Sequence, residues 1–261
     1  MDNRRMLFVA SCLPLVANGM AGAISTDIMG DYEHFLGLSK LNVALALGAG
    51  TALGVAVQFC GGAILDFLRI GRALWVAFAF HVLGITTIVF AQGYFSLAAG
   101  WTFMAIATNM VEASINPLVA SMYPEKRTHM LNVLHAWWPG GLILGGLLAF
   151  GLSELFDHLK GWPWLAAHSW QIKMAFVYLP VIGYAVLIFG KQFPKTERVQ
   201  TGVSAKAMYR EILRPGFLLL VFCMFLTASV ELGPGRWVGV FIKDIIGIRG
   251  ILFLVYTSGL M

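Results

Sequence analysis

The chain has 261 residues, of which 59% are hydrophobic and 12% charged, with a formal net charge of +5 and a mean hydropathy of +0.78. That charged share is about half of what a soluble domain carries, and the apolar excess is more than a water-soluble core can bury, so a lipid bilayer is the solvent implied. The positive charge does not call for a nucleic acid partner, because the basic residues fall in short segments between apolar runs, where they set membrane orientation.

The N-terminal stretch "MDNRRMLFVASCLPLVANGM" starts basic and turns apolar, as a signal peptide does. The run continues to about residue 29, too far for a signal-peptide core, and more apolar runs follow, so 6–29 is an uncleaved first span. Asn18 lies ~18 Å along it from Met6, near the bilayer midplane, where its amide can bind a polar solute or bridge two helices. Asp27 sits closer to the outer surface, as an outer-mouth acid or a loop-edge charge. The second span, 41–67, and the third, 73–92, carry the lone polar groups Gln58 and His81, each expected to be a satisfied core residue. Cys12, Cys60 and Cys223 lie in apolar runs without metal or redox spacing and are expected to be small buried hydrophobes.

The fourth span, 95–122, holds "NMVEASINP". Asn109, Glu112 and Asn116 are spaced i, i+3 and i+7 and share one helix face. Pro117 follows, and its missing N–H frees the carbonyl of Ala113. Such a stripe is costly against lipid, so it faces a bundle interior or a wet cavity. Glu112 is then a titrating group at a solute or proton site, or a structural acid near the inner gate. The fifth span, 129–152, places Asn132 and His135 on one face, at a depth similar to that of Glu112. His135 can exchange a proton with Glu112 or satisfy a core hydrogen bond. Gly141 and Gly145 form a small-xxx-small pair suited to close helix packing. The sixth span is 171–190.

Residues 191–215 form a basic, polar linker that breaks the run of short connections. The seventh span, 216–242, contains Glu231 before Gly233-Pro234-Gly235, a run that cannot continue a regular helix. Broken helices beside a charge recur at transporter binding sites, although Glu231 can equally be a solvated helix end. Trp237 can stack on a sugar ring or anchor at the interface. An eighth apolar run starts near Gly250 and covers about half of the hydrocarbon thickness by Met261, which suggests a fragment of a longer protein. With the N-terminus inside, the inner segments hold Arg4, Arg5, Arg69, Arg72, Lys126, Arg127, Lys191, Lys195, Arg198, Lys206, Arg210 and Arg214, 12 of the 18 basic residues. This bias gives a cytoplasmic N-terminus. Lys173 falls on the outer side, and Trp162, Trp164 and Trp170 are expected there as an interfacial aromatic belt.

Between the second and third spans, "GGAILDFLRIGRA" resembles the major facilitator superfamily signature G-x-x-x-D-(R/K)-x-G-(R/K). Gly62 and Asp66 match its start and Gly71-Arg72 its end, with Phe67 in place of the basic residue and two extra residues before Gly71. The resemblance implies a gating role for Asp66, Gly71 and Arg72. "EASINPLVAS" and "LNVLHAWWPGG" are similar to the E-x-x-x-N-P and L-N-x-x-(H/Q) runs of fucose-permease-like sugar:proton symporters. "ELGPGRWVGVFI" is similar to the segment that opens that family's second bundle. The resemblance implies proton coupling at Glu112 with Asn116 beside it, and makes Asp27 the nearest match to the family's acid in the first helix.

The implied fold is an all-α membrane protein of the major facilitator superfamily type. It has an N-terminal six-helix bundle over 1–190, a cytoplasmic loop over 191–215, and the start of a C-terminal bundle over 216–261. The implied function is proton-coupled transport of a small polar solute, a sugar by preference, across a bacterial inner membrane. Glu112 and His135 are the candidate proton-coupling residues. Asn18, Asn109, Asn116, Asn132, Glu231 and Trp237 are the candidate solute contacts. No cofactor, metal or nucleic acid is expected, an oligomer is not required, and no phosphate-binding loop motif is present. A drug or metabolite antiporter of the same superfamily and a seven-helix receptor are the alternatives. Because members of the family have twelve helices and bind substrate between two halves, the 261-residue chain reconstituted by itself is expected not to transport. Proton-driven sugar uptake by that chain in proteoliposomes would refute this.

Overall fold

In the computed structural model, residues 3–159, 162–194, 202–227, 229–230 and 250–260 are described, and they contain helices, turns and no strand. The first span is α1 (Asn3–Asp27), followed by a short α2 (Met29–Leu36) that ends on Gly37 at φ 63. The second span is three pieces, α3 (Lys40–Gly48), α4 (Thr51–Phe59) and α5 (Gly61–Leu68). The third and fourth are unbroken: α6 (Ile70–Val89) and α7 (Tyr94–Met122). α8 (Arg127–His135) and α9 (Trp137–His158) make the fifth. After α10 (Pro163–Ala167), α11 (Ser169–Ala175) and α12 (Tyr178–Ile188) make the sixth. The linker holds α13 (Ala205–Ile212), and α14 (Pro215–Thr227) and α15 (Gly250–Gly259) follow.

The interruptions have local causes. A proline in a helix clashes with the carbonyl four residues earlier and cannot bond to it. Pro139 therefore opposes His135, where α8 gives way to α9, and Pro180 opposes Phe176, where α11 gives way to α12. Pro117 does not stop α7, which runs on to Met122. Length and apolarity single out five membrane-length segments, the first, second, third, fifth and sixth spans. α7 is longer than most of them at 29 residues, and the stripe Asn109–Glu112–Asn116 lowers its apolarity.

Spans one to six pack around one core, in which α6 lies along α7 and α1 lies along α9. Lipid tails are as apolar as leucine, so helices here associate through backbone approach rather than a hydrophobic force. α1 and α9 use glycine for this. A Cβ on Gly141 would stand 2.5 Å from the Val16 carbonyl oxygen, one on Gly145 2.6 Å from the Met20 Cα, and one on Gly19 2.3 Å from the Trp138 carbonyl oxygen. Beside that crossing, Gly146 receives Val255 and Ile251, so α15 seats against α9 and α1 in a small second core with Ala23 and Leu142. α14 is exposed along its apolar length, including Phe217, Phe222 and Phe225.

Three expectations need correction. Gln58 is not a core residue but lies exposed on α4, on the side that no described helix covers. Trp170 is not an interfacial residue: it is buried and meets Tyr32 edge to face at 5.4 Å, because α11 turns it inward, while Trp162 and Trp164 remain exposed. Cys12 is buried, but Cys60 and Cys223 are exposed on faces of α4–α5 and α14 that no described helix covers. Packing at Gly141 predicts that Gly141→Ala lowers the thermal unfolding midpoint in detergent, at a cost of about 1–3 kcal/mol. Gly140→Ala, with nothing within 4 Å of its added carbon, should be neutral or slightly stabilising. Equal midpoints for the two variants would contradict this account of the α1–α9 contact.

Candidate functional site

Three groups of polar side chains bear on the candidate residues, one at mid-span, one towards the Asp27 end of α1 and one along α7 towards Met122. At mid-span, α1 presents Asn18 to α6 and α7. Its Oδ1 accepts from Thr108 Oγ1 at 2.9 Å and lies 3.1 Å from His81 Nε2. An amide oxygen only accepts, so His81 donates from Nε2, and its Nδ1 accepts from the Tyr184 hydroxyl at 3.0 Å. This chain joins α1, α6, α7 and α12 through a fully buried histidine. Asn18 Nδ2 is buried and has no partner. Asn18 is thus a helix bridge through its oxygen, while its nitrogen keeps an unused donor.

The second group lies near the end of α1. Lys173 Nζ donates to Asp27 Oδ2 at 2.6 Å and to Ser153 Oγ at 2.8 Å. The two charged side chains are only 7% and 14% exposed. Ser153 passes its own proton back to the Ala149 carbonyl at 2.9 Å, so the ammonium, the carboxylate and the hydroxyl satisfy one another. The pair ties α1 to α9 and α11. Sequence reasoning left Asp27 open and counted Lys173 as an outer-side cation. The usable signal was depth: Asp27 closes the first span and Lys173 lies two residues into the sixth, so opposite charges meet at one level.

The third group follows α7. Asn109 Nδ2 bonds back to the Ala105 carbonyl at 2.8 Å and packs against Gly54 of α4. Asn116 Oδ1 lies 3.1 Å from His135 Nε2, at the end of α8. His135 therefore bonds to Asn116 and not to Glu112. Among the described residues Glu112, half-buried, makes no hydrogen bond or ion pair. Asn132, one turn before His135, is exposed. Glu231, Trp237 and the expected break at Gly233–Gly235 lie outside the described residues.

Asp66, Gly71 and Arg72 come together on the wall of a cleft of about 710 Å³ at the α5–α6 corner. The two extra residues of the signature are taken up by a turn in which Arg69 adopts φ 66, ψ 152. The absence of a side chain on Gly71 lets the Phe193 ring lie where a Cβ would be 2.7 Å away. The start of the linker, 191–194, is thereby held against the bundle.

Six spans packed as one body, five of them singled out by length and apolarity as able to cross a bilayer, define a multi-pass integral membrane protein. The chain belongs to the Major Facilitator Superfamily, whose family model matches residues 6–261. No curated protein sequence matches it. Among solved structures it is similar to a bacterial homolog of the human lysosomal transporter Spinster in an inward-facing and unoccupied conformation, at 16% identity and a TM-score of 0.66. The likeness, which concerns the fold alone, covers 98% of this chain, and the chain spans 59% of that protein's length.

The Lys173 cluster yields a stability prediction. Lys173→Ala strands a buried carboxylate and should cost about 3–5 kcal/mol, whereas Asp27→Asn combined with Lys173→Met removes both charges and should cost much less. Thermal unfolding of the three proteins in detergent measures this, and a double variant no more stable than the single one would rule out a buried pair.

Proposed function

We propose that this protein belongs to a secondary active transporter that moves a small polar solute, a sugar by preference, together with protons by alternating access. Residues 1–190 would be its N-terminal bundle, 191–215 its cytoplasmic loop and 216–261 the start of a second bundle, in a bacterial inner membrane with the N-terminus cytoplasmic. The observation that carries the reading is the contrast between two acids inside the spans. Asp27 is neutralised in place by Lys173, whereas Glu112 has no counter-ion among the described residues and sits in the span that carries the Asn109–Glu112–Asn116 stripe.

An intramembrane carboxylate without a partner is costly when ionised, so gaining a proton relieves it and losing one requires water or solute nearby. That is the property a coupling site needs. Asn116 lies one helical turn further along α7, and together with His135 of α8, which bonds to it, it can hold the solute's hydroxyl groups beside the acid, while Asn109 sets the α4 wall. Glu112→Gln, made in the full-length gene product, should remove the dependence of monosaccharide uptake on an imposed pH gradient and lower the driven rate about 100-fold. Solute exchange at equal pH should persist, because a glutamine keeps the shape and the hydrogen bonds of the protonated acid. Uptake by that variant that still follows the pH gradient would eliminate Glu112 as the coupling group.

A further inference from the structure

The cleft at the α5–α6 corner has a composition that gating does not require. Arg69, Arg72 and Lys191 all line it, and none of the three makes an ion pair with a described residue. Its single acid, Asp66, already has a partner. Among the described residues that line the cleft, three cations thus stand without an ion-pair partner. Arg69 is also the only non-glycine described residue with a positive φ. At φ 66 and ψ 152 it occupies a region that side chains avoid, at a cost of order 1–3 kcal/mol, and such strain concentrates at ligand clamps.

The surroundings identify the solvent at the cleft mouth. Trp75 lines it and meets Phe189 edge to face at 6.3 Å, and Phe189 and Phe67 are 73% and 83% exposed. Aromatic rings left bare at one end of a set of spans sit at headgroup depth, where the ring is in hydrocarbon and the edge in water. A cation cluster opening between such rings faces lipid headgroups rather than bulk water. Basic pockets between helices at that depth bind lipid phosphate, and guanidinium groups match its oxygens two at a time.

We propose that this cleft seats the phosphate of an anionic phospholipid headgroup, held by Arg69, Arg72 and Lys191, with Trp75 against its glycerol. The seat joins the α5–α6 corner to the first residues of the linker, so the lipid bridges the two. Native mass spectrometry of the purified full chain with phosphatidylglycerol and with phosphatidylcholine of the same acyl chains tests it. Phosphatidylglycerol should be retained about 10-fold more than phosphatidylcholine, and Arg69→Gln with Lys191→Gln should bring the ratio close to one. Lys40→Gln, at the opposite end of the second span, and Glu112→Gln should leave it unchanged, which separates this site from the coupling reading. Equal retention of the two lipids by the unaltered chain overturns the proposal without any variant. Displacement of phosphatidylglycerol by millimolar inorganic phosphate overturns it in favour of a soluble anion.

Discussion

The contact between the backbones of α1 and α9 is the constraint on which the bundle depends. In water, two amphipathic helices are driven together by the surface they hide. In hydrocarbon that force is absent, and what remains is dispersion and dipole contact at short range. Gly19, Gly141 and Gly145 remove the side chains that would keep the axes apart. With α1 fixed on α9, its opposite side reaches α6, α7 and α12 through Asn18, and its end reaches α11 through Asp27. The adjoining face of α9 takes α15 over Gly146, with Ala23 of α1 in the same small core. One helix crossing thus determines which polar groups can meet.

Those polar groups are treated in two ways. Most are closed: His81 has a partner on each ring nitrogen, and Lys173, Asp27 and Ser153 satisfy one another. Closed groups add specificity to packing and have nothing left to give a ligand. Glu112 and the Asn18 amide nitrogen are left open. Glu112 and Asn18 Nδ2 are therefore places where a hydrogen-bonding ligand can gain by entering.

Much of this was legible in the sequence. Apolar runs located the first six spans to within about six residues, because the hydrocarbon thickness fixes a helix length, while the seventh, 216–242, lies partly outside the described residues. The Gly141–Gly145 spacing pointed to close packing, and the α7 stripe gave the face that holds Glu112. Pairings were legible only as shared depth, not as contacts. Asp27 and Lys173 are 146 residues apart, and nothing local distinguishes a loop-edge charge from one folded inward by α11. Trp170 was misplaced for the same reason: a tryptophan near a span end suits an interface, and only the rotation of α11 sends it to Tyr32. The breaks at Pro139 and Pro180 follow from the carbonyl four residues back, whereas Pro117 in the same kind of context leaves α7 whole, so proline alone does not decide. The two extra residues before Gly71 marked a departure from the superfamily signature, and the strained turn at Arg69 is how the chain accommodates them.

The docking of Phe193 over Gly71 also changes the mechanics of the linker. The Gln192 carbonyl makes a long contact, 3.5 Å, with Asn3 as well, so residues 191–194 are pinned at two corners of the bundle. An extended chain reaches at most ~3.5 Å per residue, so pinning these four residues takes roughly 14 Å of reach away from the tether between the sixth span and α14. The tether starts at Pro194, not at the end of α12, and from the α5–α6 corner rather than from the sixth span itself. The point at which the linker leaves the bundle is therefore set by the signature loop, and a change in that loop moves the departure point.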